Sequence, residues 1–198
     1  MLKLAKKGLA KGGSTGGASI IDLHSGALSS GEHFVNLFKT YPDLFQPEDF
    51  TVYREVKETI KAYIAEHFDI DPQSLYLTHP TFFSRLENKP AKTPHDEYWH
   101  IHIDKETYPS FHYTSLLYLT DFGEDFSGGE FVFVDSSDKL NRTIEPRLGR
   151  VSFFTSGIEN KHFVKPVNSG VRYALTLGFT CDASKAIADP GSKGHQVS

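Results

Sequence analysis

Apolar positions along the chain change their period near residue 75. Over residues 48–68, EDFTVYREVKETIKAYIAEHF, Val52, Tyr53, Val56, Ile60, Tyr63, Ile64 and Phe68 recur at helical spacing with charged residues between them, which predicts one amphipathic helix. Upstream, GEHFVNLFKTY places Phe34, Leu37 and Phe38 on one side of a shorter helix, and Pro42 and Pro47 punctuate the connection. From Leu75 onward the pattern becomes short β-rich runs, LYLTHPTFF, YWHIHID, YTSLLYL, EFVFV, VSFFT, HFVKPV and VRYALTLGF, separated by Gly, Pro, Asp, Ser and Asn clusters. Strands in series with no helices between them predict antiparallel sheets. A mainly β jelly roll with N-terminal helices against one side is the simplest architecture that covers the edges.

The loose ends are read from composition. MLKLAKKGLAK followed by GGSTGGA predicts a flexible basic and Gly-rich leader over 1–18. A single domain is expected over 19–182, with a helical buttress at 30–70 and the jelly roll at 75–180, and a flexible tail over 183–198. DSSDKLNRTIEP, residues 135–146, is expected as a polar hairpin loop, and its Asn141-Arg142-Thr143 is an N-glycosylation triplet if the domain lies in a secretory lumen.

Composition narrows the function classes. With 38% hydrophobic residues, 13% aromatics and 16 Phe among 198 residues, the chain has the makings of a globular core. Cys181 is the only cysteine, so no internal disulfide holds the fold. The net charge is −4, but four of the 21 basic residues (Lys3, Lys6, Lys7, Lys11) lie in the leader; the rest of the chain carries 17 against 25 acidic residues. So acidic a body is a poor grip for a phosphate backbone, and no nucleic acid partner is expected. No apolar run long enough to span a bilayer occurs, and the leader is too short and too Lys-rich for a secretory signal; the compartment stays open.

The candidate chemistry sits in YWHIHIDK, residues 98–105. On a strand, His100, His102 and Asp104 would share one face, with Trp99, Ile101 and Ile103 on the other. His162 begins a later strand. Two imidazoles and a carboxylate on one side of a metal leave the opposite positions open, which suits non-haem Fe(II). An H-x-D is common by chance, so the weight falls on Arg172, ten residues past His162 and beyond the turn PVNSG. A hairpin there brings the guanidinium behind the metal, where it can hold a carboxylate through two parallel hydrogen bonds. Thr176, four residues further on the same face, and Tyr118 in LLYL supply hydroxyls for the same group. A rival, cupin-like assignment pairs His100 and His102 with His162 and leaves Asp104 and Arg172 without roles. Trp99 reads as core on the opposite face, Phe153 and Phe154 as core, and Gly128-Gly129 as a tight turn.

HID, YTSLLYLTD, SGGEFVFVD and NKHFVKPVNSGVRYALTLGF, in that order and spacing over residues 98–180, resemble the Fe(II)/2-oxoglutarate-dependent dioxygenases, and among them the prolyl 4-hydroxylase-like branch. The resemblance implies a double-stranded β-helix in which His102, Asp104 and His162 hold Fe(II). It implies 2-oxoglutarate as co-substrate, with its far carboxylate on Arg172 helped by Tyr118 and Thr176. It further implies O2 as oxidant, release of succinate and CO2, and hydroxylation of a protein or peptide side chain; ascorbate is the reductant the branch suggests. Two other readings stand beside it: a catalytically silent jelly-roll binding module, and a cupin-like metalloenzyme that does not use 2-oxoglutarate.

Overall fold

The structure is a computed structural model that describes residues 1–135 and 141–191. The chain opens with helix α1 (Leu2–Leu9) and strands β1 (Gly13–Ser14), β2 (Ala18–Ile21), β3 (Ala27–Gly31) and β4 (His33–Asn36). The one-turn helix α2 (Leu37–Thr40) and the long helix α3 (Pro47–His67) follow. Next come β5 (Tyr76–Glu87), the one-turn helix α4 (Asp104–Thr107), β6 (Tyr113–Tyr118), β7 (Phe126–Gly128) and β8 (Phe131–Phe133). The described chain is completed by β9 (Arg142–Ile144), β10 (Val151–Thr155), β11 (His162–Val164) and β12 (Val167–Thr180). Helix α3 begins at Pro47, whose fixed φ suits a first helical position, behind a capping box between Gln46 and Asp49.

A nine-stranded sheet runs β1-β3-β2-β5-β12-β6-β10, with β4 beside β3 and β7 beside β12; a smaller sheet runs β11-β8-β9. Alternation along the central strands divides the interior in two. Leu175, Leu177 and Phe179 of β12 and Leu117 of β6 face the helical side, where they pack with Leu4, Leu9, Tyr53, Ile60 and Ile64. The opposite face of the same strands carries Ala174, Leu116 and Tyr118, which pack with Phe131 and Phe154 between the two sheets. Arg172 and Thr176 are in step with Ala174 along β12, and Thr114 with Leu116 along β6. The polar groups of interest therefore project into the space between the sheets.

Several expectations need correction. The leader is not loose: α1 buries Leu4, Ala5 and Leu9, and this apolar stripe between lysines docks on the core. Lys6 and Lys7 place their ammonium groups over the rings of Tyr173 and Phe45. The Gly-rich stretch is also built in, because Asp96 accepts hydrogen bonds from the Ser14 hydroxyl and the Ala18 amide. A Cβ on Gly16 would lie 2.2 Å from that carboxylate, so a side chain there would displace the clamp. In GEHFVNLFKTY the first half is β4, paired to β3, and only Leu37–Thr40 is helical, capped by the Asn36 side chain accepting from the Lys39 amide. The tail is anchored as far as it is described: Ile187 donates its amide to Leu77, and Lys57 meets Asp189 at 2.6 Å. Residues 192–198, and 136–140 of the expected polar loop, lie outside the described residues. Among the described residues no helix is long and apolar enough to cross a membrane.

Candidate metal and co-substrate site

YWHIHID is not a strand. After β5 the chain runs through a loop that the Asp96 clamp fixes at its middle, where Asp96 also accepts from the Lys92 and Thr93 amides. The Tyr98 hydroxyl holds the next point by accepting from the Val167 amide. The loop then meets the start of β11 in a single antiparallel bridge. His102 N–H reaches the His162 carbonyl at 2.9 Å, and His162 N–H reaches the His102 carbonyl at 3.1 Å. That reciprocal pair sets the two imidazoles side by side, ring centroids 4.4 Å apart. Two residues on, the chain turns into α4, and its first residue, Asp104, directs its carboxylate inward.

The result is a compact donor set. Asp104 Oδ1 lies 3.5 Å from His102 Nε2 and 3.6 Å from His162 Nε2. One donor atom from each residue fits within 4.8 Å of the others. Both imidazoles are oriented from behind: His102 Nδ1 donates to the His100 carbonyl at 2.9 Å, and His162 Nδ1 to the Asn160 carbonyl at 2.7 Å. In the neutral ring the proton held on Nδ1 leaves each Nε2 a lone pair directed toward the others, the tautomer a metal requires. The second carboxylate oxygen, Asp104 Oδ2, accepts from the Thr114 hydroxyl at 2.7 Å, and that hydroxyl in turn meets Ser156 Oγ at 2.9 Å.

The electrostatics match. Burial pushes the Asp104 carboxyl up, but the bond to His102, the charge of His162 and the Thr114 bond outweigh it and hold the group below the ordinary aspartate range. Burial holds His162 below the ordinary histidine value, against the pull of Asp104. Burial also works to lower His102, yet the Asp104 bond and the His100 carbonyl prevail and raise it. Three phenylalanines wall the His162 ring: Phe131 stacks on it at 4.7 Å, Phe154 meets it edge-on at 5.1 Å, and Phe133 lies at 6.2 Å. His162 and Asp104 are buried, whereas the His102 side chain is 38% exposed, so the set opens to solvent on that side.

Arg172 lies in the same inter-sheet space with 1% of its surface exposed. Its Nε and Nη2 are buried and have no hydrogen-bond partner among the described residues. The guanidinium carbon stands 5.5 Å over the Tyr118 ring. Burial lowers Arg172 from the ordinary arginine value but leaves it a cation, since arginine is not deprotonated in proteins. Tyr118 is itself fully buried, its hydroxyl 3.2 Å from Ser152 Oγ, and burial raises its phenol, keeping it a neutral donor. Thr176 is half-buried on the same face of β12 as Arg172.

Of the residues singled out from the sequence, His102, Asp104 and His162 come together, and Arg172, Tyr118 and Thr176 project into the adjoining space. His100 does not join them: its imidazole is exposed and pairs with Glu97 at 2.7 Å. It contributes only its backbone carbonyl to His102, so the H-x-H assignment has no geometric basis. Trp99 is half-buried beside Tyr98 and His100 and lies outside the core clusters. Thr114 and Ser156 were missed; the signal available was that Thr114, Leu116 and Tyr118 alternate on one face of YTSLLYL.

Residues 83–179 match the family described as the 2OG-Fe(II) oxygenase superfamily. The chain is 57% identical over 192 residues to the mouse (Mus musculus) 2-oxoglutarate and iron-dependent oxygenase domain-containing protein 3, covering 95% of this chain and 60% of that protein. A shorter stretch of 71 residues is 46% identical to human (Homo sapiens) prolyl 3-hydroxylase 2, 35% of this chain and 10% of that one. Among solved structures, a 2OG-Fe(II) oxygenase family oxidoreductase from Burkholderia pseudomallei superposes with a TM-score of 0.54 at 16% identity, over 82% of this chain and 64% of that one. The chain thus spans about 60% of the length of the mouse relative. Its fold is a double-stranded β-helix, and over residues 83–179 its sequence is similar to the 2OG-Fe(II) oxygenase superfamily.

Proposed function

We propose that the chain is an Fe(II)- and 2-oxoglutarate-dependent dioxygenase that hydroxylates a protein or peptide side chain and releases succinate and CO2. The observation that carries the reading is Arg172: a fully buried cation whose Nε and Nη2 have no hydrogen-bond partner among the described residues, in the same inter-sheet space as the donor set of His102, Asp104 and His162. An unpaired charge in an apolar interior is strongly unfavourable, and a dianionic ligand with a carboxylate at its far end resolves it.

The donor set fits Fe(II), since two neutral imidazoles and one carboxylate leave positions for a chelating co-substrate and for oxygen. Bound together, Fe(II), 2-oxoglutarate and O2 supply the oxidation, with one oxygen atom going to succinate and the other to the product. The chain's own residues provide the setting. The His100 and Asn160 carbonyls keep both Nε2 atoms available, and Arg172 with the hydroxyls of Tyr118 and Thr176 anchors the far carboxylate. Phe131, Phe133 and Phe154 keep water from the His162 side.

The partly exposed His102 edge is where a substrate side chain would enter. Ile101 beside it and Ile158 ahead of His162 are large apolar residues left exposed, at 55% and 73%, and suit contact with a peptide. Kinship with a protein named as a prolyl hydroxylase favours a prolyl residue. The test is anaerobic binding of 2-oxoglutarate in the presence of Fe(II), then succinate release on admitting air, beside His162→Ala and Arg172→Ala. Metal-dependent binding and turnover, lost in the first variant and weakened in co-substrate affinity in the second, support the reading. A folded, unaltered chain that binds neither ligand overturns it in favour of a binding module.

A further inference from the structure

Asp104 is the only carboxylate in the donor set, and its two oxygens have different surroundings. Oδ1 faces both imidazole Nε2 atoms, whereas Oδ2 is turned back to the Thr114 hydroxyl. An ionised carboxylate carries no proton, so Thr114 must be the donor in that bond. Thr114 has one hydroxyl proton, which leaves its oxygen as acceptor toward Ser156, and Ser156 must donate. The direction of the chain is therefore fixed: Ser156 O–H to Thr114, Thr114 O–H to Asp104 Oδ2.

All three side chains are buried, with 1% exposure at Ser156, 4% at Thr114 and 6% at Asp104. Water cannot replace a missing link there without room being made for it. The three come from three places in the fold: the residue just after β10, the start of β6 and the first turn of α4. Ser156 also joins them through its backbone, accepting from the Lys105 amide at 2.9 Å and donating to the His112 carbonyl at 2.9 Å.

We propose that Thr114 and Ser156 are positioning residues that hold Asp104 as a one-oxygen ligand by engaging its other oxygen. The inference rests on the metal-site reading. Its consequence concerns how many positions the metal has to spare. A carboxylate free to swing both oxygens onto the ion would take a position that a chelating co-substrate and oxygen need between them. Partners behind a ligand commonly govern metal affinity by about 10- to 100-fold.

The test uses Co(II), whose visible absorption reports its ligand geometry, titrated anaerobically into the unaltered chain, Thr114→Val, Thr114→Ser and Ser156→Ala. Thr114→Val keeps the shape and removes the donor, and is expected to weaken Co(II) binding about 10- to 100-fold and alter the band. Thr114→Ser restores the hydroxyl and returns affinity to within a few-fold. Ser156→Ala leaves both backbone bonds in place and gives an intermediate loss. A folded Thr114→Val with unaltered affinity and spectrum overturns the proposal. So does a Thr114→Ser as impaired as Thr114→Val, which would make the methyl group's packing responsible. If Thr114→Val does not fold, Ser156→Ala decides, and unaltered Co(II) binding there overturns the relay. If the unaltered chain takes up no Co(II), the metal-site reading itself fails, an outcome distinct from variants that bind as well as the parent.

Discussion

Replacing Arg172 by Met should act in opposite directions on stability and on ligand binding. Met keeps an unbranched side chain of similar length in a tight setting, where a Cβ on Gly129 would already stand 3.0 Å from Arg172 Cδ. Without ligand, the guanidinium is buried and its Nε and Nη2 have no hydrogen-bond partner among the described residues, so the substitution removes a desolvation penalty. Exchanging buried charged groups for apolar ones gains about 1–4 kcal/mol in comparable cases. At roughly 2–4 °C per kcal/mol for a domain of this size, the ligand-free protein should melt several degrees higher. Binding should move the other way, because truncating one partner of a buried charge pair costs about 2–5 kcal/mol, or roughly 30-fold to several thousand-fold in Kd for 2-oxoglutarate. The assay is calorimetric titration of 2-oxoglutarate into the Mn(II)-loaded protein, with thermal melts with and without co-substrate. At a hundredfold excess over Kd the ligand should stabilise the unaltered protein by about 2.7 kcal/mol and Arg172→Met hardly at all. Retention of 2-oxoglutarate affinity within a few-fold would refute the assignment of Arg172, and a lower melting temperature without ligand would refute the argument from the unpaired cation.

Metal uptake should depend on pH through His102, whose value the Asp104 bond and the His100 carbonyl raise above 6.5 against the effect of burial. Since the metal needs the unprotonated Nε2, affinity is full above that raised value and falls as pH drops through it; Mn(II) titrations should show a loss approaching about tenfold per pH unit below it. Asp104→Ala should abolish Mn(II) binding outright while the fold, followed by circular dichroism, survives. His24 is held below 6.5 by burial, with its ring between Tyr53 and the Ala188 carbonyl. A depressed histidine contributes stability that is complete above its unfolded value and declines as pH falls below it, so melting temperature should drop from about pH 7 to about pH 5, and less steeply in His24→Gln. Leu9 of α1 is fully buried, so Leu9→Ala should cost about 2–4 kcal/mol and lower the melting temperature by several degrees; a leader detached from the core would give no change.

Where side-chain period and chain direction suffice, the sequence is informative. The spacing of Tyr53, Ile60 and Ile64 marks the buried face of α3, and the alternation along VRYALTLGF separates Arg172 and Thr176 from Leu175 and Leu177, as β12 does. Both follow from local geometry that any extended or helical segment obeys. The same logic fails in YWHIHIDK, because period two holds only while the chain stays extended. Here a loop pinned by Asp96 ends in one bridge to His162 and turns into α4, so His100 faces solvent while Asp104 turns inward. Lysine content conceals α1, whose stripe of Leu4, Ala5 and Leu9 gains its value only from the core it meets. The sequence alone therefore determined the mainly β class, the long helix and the face of β12 that bears the cation. Tertiary structure decided how the two imidazoles meet Asp104, which oxygen of Asp104 the Thr114 hydroxyl takes and that Arg172 Nε and Nη2 have no hydrogen-bond partner among the described residues, since each depends on groups brought together from distant parts of the chain.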